Sequence, residues 1–304
     1  MDLIRTVRLK TLALLKISLE AKEHLRPSEI TSIYDSKNPT PDHVLKFISL
    51  VLITHKYGFA SLESWGFDFV HRHCISYTDD SFSRVCAVGD LRQLLTMCQL
   101  TSDLDFERCR LLEERIGSHI LFRALHNNPR FLERADALAI SAEFGLRNIE
   151  GGMYYRILVE ATKLAYETNQ DVNYTPFLPT YLTAAQITCI HRGFISLIGV
   201  NERFHWDNAE VPCSCELDCS EAARSVLAQV NAKSREDCLL VDVLGQLHYM
   251  EEIGNLSRVG AWSGVSTSCE VHILEYIAEI NDKVVGALGD YFLGILQPQE
   301  AGLQ

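Results

Sequence analysis

The chain has 304 residues, of which 47% are apolar and 22% charged, enough to bury a large core in one extended or two compact domains. A net charge of −12 argues against a nucleic-acid partner, because affinity for a phosphate backbone comes chiefly from Lys and Arg neutralising phosphates. Ten cysteines without a small-scaffold framework, in a chain with no secretory signal, fit a reducing setting, so an intracellular, cytoplasmic or nuclear location is expected.

Residues 1–39 form an N-terminal helix and a link in this reading. Arg5, Arg8, Lys10 and Lys16 stand among Leu and Ile, with Asp2 the only acid before Glu20, as in a basic amphipathic helix. A mitochondrial presequence has a similar composition, but an ordinary first helix is preferred. The apolar run 12–15 is too short for a signal-peptide core or a membrane span, and no long apolar run follows, so no membrane partner is expected.

The sequence from Thr40 to His73 predicts a helical hairpin. Thr40 can cap a helix with Pro41 at its first position, and Gly58 supplies a stop after Tyr57. Ser61 can then cap a second helix with Leu62, Trp65, Gly66 and Phe69 on one face. Further on, Asp90 can cap a helix carrying Leu91, Leu94, Leu95 and Cys98, and Leu112, Ile116 and Ile120 mark another. Residues 128–164 replay the hairpin: Asn128 and Pro129 at the start, an apolar stripe of Phe131, Ala135, Leu138 and Ala142, then Phe144-Gly145-Leu146 in place of Tyr57-Gly58-Phe59. Asn148-Ile149-Glu150 likewise replays Ser61-Leu62-Glu63, which suggests stacked helical units.

Residues 170–180, with Asn173, Pro176 and Pro179, make the best linker and are expected to carry the domain boundary. Beyond it, Thr183 and Gln186 form a capping box before Ile187, Ile190, Phe194 and Ile198. Ser220, Ala223, Leu227 and Val230 predict another helix, 236–253 one more, and Thr267 with Glu270 caps a last one ending near Gly294. No stretch alternates with period two for long enough to build a large sheet. The expected fold is mainly α, stacked helical hairpins with little or no β-sheet. Its parts are 1–39, 40–170, a linker at 171–181, a C-terminal helical region at 182–296 and a tail at 297–304.

Chemistry-bearing candidates are few. Cys213, Cys215 and Cys219 lie in an irregular stretch with His205 upstream and Cys238 and Cys269 elsewhere; zinc takes such sets, but the spacing is not that of paired C-x-x-C, and buried or surface thiols are preferred. His71, His73 and Cys74 cannot all face one point on a helix. Gly260-Ala-Trp-Ser263-Gly264 lacks the nucleophile-elbow spacing, and Asn255-Leu-Ser257 is a sequon that an intracellular chain would not use. Glu113-Glu114 and Glu251-Glu252 diverge as helix neighbours. No catalytic, cofactor-binding or metal residue is assigned, and no cofactor is expected.

The run HKYGFASLESWGFDFV at 55–70 resembles the closing helices of the BTB/POZ domain in the uncharacterised fungal type of BTB protein. LAISAEFGLRNIEGGMYYRIL (138–158), HRGFISLIG (191–199) and DVLGQLHYMEEI (242–253) resemble successive blocks of the BACK-like helical region that follows it. The resemblance covers 40–294 and implies a non-enzymatic scaffold or adaptor with a protein partner. The negative charge favours a basic one, and self-association stays open. The family's strand-rich front half would precede these helices, yet only residues 1–39 do, so that half is expected to be missing or reduced and cullin binding doubtful. The alternative is an enzyme or small-ligand binder with a pocket between helical units.

Overall fold

The computed structural model describes residues 40–76, 87–125, 134–168, 173–203, 220–256 and 265–294. Among these residues there are ten α-helices and no strand, as the mainly α reading expects. No described helix is long and apolar enough to cross a membrane. The chain divides into two compact units between Phe144 and Gly145. The 171–181 linker therefore lies within the second unit.

The first unit holds α1 (Pro41–Lys56), α2 (Ala60–Ser76), α3 (Val88–Thr101), α4 (Phe106–Leu125) and α5 (Arg134–Glu143). The start of α1 is as its sequence predicts, with extended Thr40 before Pro41 and the Thr40 N–H donating to His43 Nδ1 at 3.1 Å. At its end the Phe59 N–H returns to the Thr54 carbonyl at 2.9 Å and the Gly58 N–H to that of His55 at 3.0 Å. That pairing needs a left-handed residue, and Gly58 has φ +70°. The Phe59 carbonyl then accepts the Leu62 and Glu63 N–H groups, so α2 starts at Ala60 and Ser61 sits inside its first turn instead of capping it.

Each of α1 and α4 packs on both α2 and α3, closing a ring of four helices, and α5 adds to α4. Phe47 fills the α1–α2 seam, its ring stacked on Phe69 at 3.9 Å between centroids and tilted against Trp65 at 5.3 Å. Leu91, Leu94, Leu95 and Cys98 of α3 and Leu112, Ile116 and Ile120 of α4 are buried, as their spacing predicts. Asp90 is not the cap of α3: the helix begins at Val88, and Asp90 in its first turn reaches back to the Ala87 N–H at 2.7 Å. The expected start of the second hairpin, Asn128, Pro129 and Phe131, lies outside the described residues.

The second unit holds α6 (Arg147–Glu167), a 3-10 turn (Thr175–Phe177), α7 (Ala184–Arg203), α8 (Ser220–Asp237), α9 (Val243–Leu256) and α10 (Thr267–Leu293). Gly145 repeats Gly58 with φ +67°, and the Leu146 carbonyl accepts from Ile149 and Glu150 as Phe59 does from Leu62 and Glu63. Asn148, like Ser61, is thereby inside its helix. The capping box of α7 forms as read: the Thr183 N–H donates to Gln186 Oε1 at 2.9 Å, and the Gln186 N–H to Thr183 Oγ1 at 3.3 Å. The 236–253 stretch is not one helix, since α8 runs on to Asp237 and α9 starts at Val243. The cap of α10 is Ser266, whose Oγ accepts the Cys269 N–H at 3.3 Å, one residue before the expected Thr267. This 27-residue helix is the spine of the unit, packing on α6, α7 and α9.

Candidate functional site

Residues of three of the four blocks, 138–158, 191–199 and 242–253, meet around α10 and the start of α9, where their side chains are occupied with one another. Gly151 of α6 lies against the α10 backbone: a Cβ there would fall 2.5 Å from the Gly289 nitrogen and 2.7 Å from the Leu288 carbonyl oxygen. Only a hydrogen side chain lets the two helices approach so closely. Gly193 of α7 faces the Phe292 ring, and a Cβ would sit 2.0 Å from one of its carbons. Arg147 closes the end of the same seat, donating to Asp290 Oδ1 at 3.1 Å and to the Gly294 carbonyl.

Asp242 is the node of the block at 242–253. Its Oδ1 accepts the Gly245 N–H at 3.0 Å, which caps α9, and also the Tyr155 hydroxyl at 2.5 Å. The Tyr155 hydroxyl in turn accepts the Leu244 N–H at 3.0 Å. A Cβ on Gly245 would meet the Asp242 carboxylate at 2.3 Å, so the glycine makes the cap sterically feasible. Burial first, and the Asp242 charge second, push the Tyr155 hydroxyl above its ordinary value of 10. It stays protonated and acts as a hydrogen-bond donor, not as a base or nucleophile. Next to it, Asn201 Nδ2 donates to the Leu240 carbonyl at 2.8 Å and to Gln246 Oε1 at 3.2 Å, while Gln246 Nε2 donates to the Leu239 carbonyl at 2.8 Å. The α8–α9 link is thus tied down by buried amides, each with partners.

The first unit has its own charged node. Arg108 of α4 donates from Nε to Asp105 Oδ2 at 2.6 Å and from Nη1 to Asp68 of α2, and its guanidinium lies over the Phe67 ring at 5.3 Å. Two carboxylates surround one guanidinium, so the node is no anion site. The hydrogen bond from the Arg108 backbone, followed by that from its side chain, holds Asp105 below its ordinary range. His71, beside this group, is lowered by burial and then by Arg108. Burial raises the thiols of Cys98 and Cys109, which keeps them protonated and unreactive.

Cys213, Cys215, Cys219 and His205, the zinc candidates, lie outside the described residues, as do 260–264 and Ser257 of the sequon. Cys238 is half-buried after α8 and Cys269 buried in the first turn of α10. His71 stands near Phe67 with ring centroids 6.0 Å apart and His73 near Phe69 at 4.4 Å, so the two rings have different neighbours. Glu114 pairs with Arg110, whereas burial raises the carboxyl of the half-buried Glu113. Glu251 is half-buried and Glu252 exposed on α9. Among the described residues, no three His, Cys, Asp or Glu side chains converge to hold a metal ion.

Sequence reasoning missed the Tyr155–Asp242 pair, whose members stand 87 positions apart. The local signal was an Asp three residues before a Gly at a helix start. Compared with family models, curated proteins and solved structures, the chain matches none.

Proposed function

We propose that the chain is a non-enzymatic, intracellular protein-interaction protein, a scaffold or adaptor of BTB type. The supporting observation is how its distinctive residues are used. Gly151, Gly193, Tyr155 and Asp242 are engaged in seating one helix on another, and Gly245 in the cap of α9. Large apolar side chains stay at the surface at the same time, Phe106 at 66%, Ile195 at 72% and Tyr166 at 76% exposure. Helix surfaces with protruding apolar groups suit docking of a partner's helix or loop. The resemblance of the four sequence blocks to the fungal BTB group points the same way. Co-purification with the tagged full chain from its native cell extract tests the reading. A protein partner at stoichiometric level that falls away as salt rises is expected, since the surface is acidic. Turnover of a small substrate by the isolated chain would contradict it.

A further inference from the structure

Among the described residues, the most concentrated apolar exposure is at the tip between α3 and α4. Leu100 is 40% exposed, Leu104 45%, Phe106 66% and Leu111 45%. Three of these fall within seven consecutive positions, around a tight turn in which the Leu104 N–H donates to the Thr101 carbonyl at 2.9 Å. Asp105 caps α4, its Oδ1 accepting the Arg108 N–H at 3.1 Å, which puts Leu104 just before the cap. A residue there usually staples onto the fourth helical position, here Cys109. Cys109 is 2% exposed, packed beneath, and Leu104 is left facing water.

Charge decides what could cover this tip. Residues 100–115 carry five acids, Asp103, Asp105, Glu107, Glu113 and Glu114, against three arginines, Arg108, Arg110 and Arg115. Arg108 is tied to Asp68 and Asp105, and Arg110 to Glu107 and Glu114. The rim is therefore net negative. A second copy of the chain would bring the same negative rim against it, whereas a Lys- or Arg-bearing segment would be drawn in. We infer that the α3–α4 tip, anchored by Leu104 and Phe106, is the docking surface for a basic amphipathic segment of a partner protein. This rests on the interaction reading and gives it a place and a partner chemistry.

Two synthetic amphipathic peptides with the same Leu stripe, one with Lys and one with Glu on the polar face, are titrated into the full chain by fluorescence anisotropy. The proteins compared are wild type, the double variant Leu104→Ser with Phe106→Ser, and Ile195→Ser in the second unit as control. Phe106 and Ile195 are largely exposed and Leu104 nearly half, and matching thermal melts check that each variant folds. The Lys peptide is expected to bind wild type, to weaken about tenfold or more on the double variant, and to bind Ile195→Ser as wild type. Its affinity is expected to fall with added salt. Equal binding of the Glu peptide, an unchanged affinity on the double variant, or no binding of the Lys peptide would overturn the proposal. So would a wild-type dimer that the double variant abolishes. Loss of binding on Ile195→Ser alone would overturn the tip as the site and leave the interaction reading standing, since that reading is tested separately by the co-purification and by turnover of a small substrate.

Discussion

The α1–α2 seam and the α6–α10 seam are both helix crossings that carry a glycine, but the glycines meet different things. A Cβ on Gly66 would approach Val51 Cγ2 at 2.8 Å, the end of a side chain, whereas a Cβ on Gly151 would run into the backbone of Leu288 and Gly289 at 2.5 to 2.7 Å. Side chains can shift by a few tenths of an ångström within a core. A helix backbone can move only as a whole, taking its other contacts with it. The first unit is accordingly held by interdigitated side chains such as Phe47 between Trp65 and Phe69, and the second by close backbone approach to one long helix.

The sharpest way to break that contrast is Gly151→Ala, expected to cost about 3 kcal/mol or more because α10 must lift from α6. Urea denaturation measures it, and a cost near zero would remove the difference between the seams. Asp242→Ala comes next. It removes a cap worth about 1 kcal/mol and the acceptor of a buried tyrosine hydroxyl worth a similar amount or more. A loss of about 2 to 3 kcal/mol is expected, with Asp242→Asn recovering part of it. Gly58→Val has no steric clash to relieve, nothing lying within 4 Å, so its cost of about 1 kcal/mol or more comes from the left-handed backbone alone. A variant that melts with wild type would misplace the end of α1.

Gly66→Ala is expected to cost about 1 kcal/mol, less than Gly151→Ala, because the buried Val51 methyl at 2.8 Å must give way while the better helix propensity of alanine offsets part of that. The smallest effect concerns pH. The His71 pKa is lowered in the folded chain, so its neutral form is favoured by folding; that stability is present above 6.5, its ordinary value, and is lost as pH falls through the lowered folded value. His71→Gln should make the dependence of the first unit's stability on pH shallower below 6.5, which denaturation at a series of pH values would detect. Because the ring is only partly buried, solvent screening keeps the effect small.

The helices were legible because their apolar stripes repeat at helical spacing and because Thr40-Pro41, Gly58, Gly145 and the Thr183–Gln186 box punctuate them. Cap positions were less so. Ser61 and Asn148 are good capping residues, a preference of about 1 kcal/mol, yet each lies inside its helix. The left-handed glycine before each has already set where the next helix enters, and a backbone carbonyl does the receiving. Asp242 was hidden for a different reason. In a run that looks continuous from 236 to 253 it resembles one more polar residue, its spacing to Gly245 being the local sign of a helix start, while its other partner, Tyr155, lies on a distant helix. The seats of Gly151 and Gly193 were likewise invisible, since each depends on what α10 places opposite.

Hydrogen–deuterium exchange on the full chain, wild type against Gly151→Ala, tests most directly whether α10 is the spine of the second unit. Faster exchange is predicted together in α6, α7, α9 and α10, with α1 to α4 keeping their protection. Unchanged protection in α10, or a loss spread equally over all these helices, would contradict it.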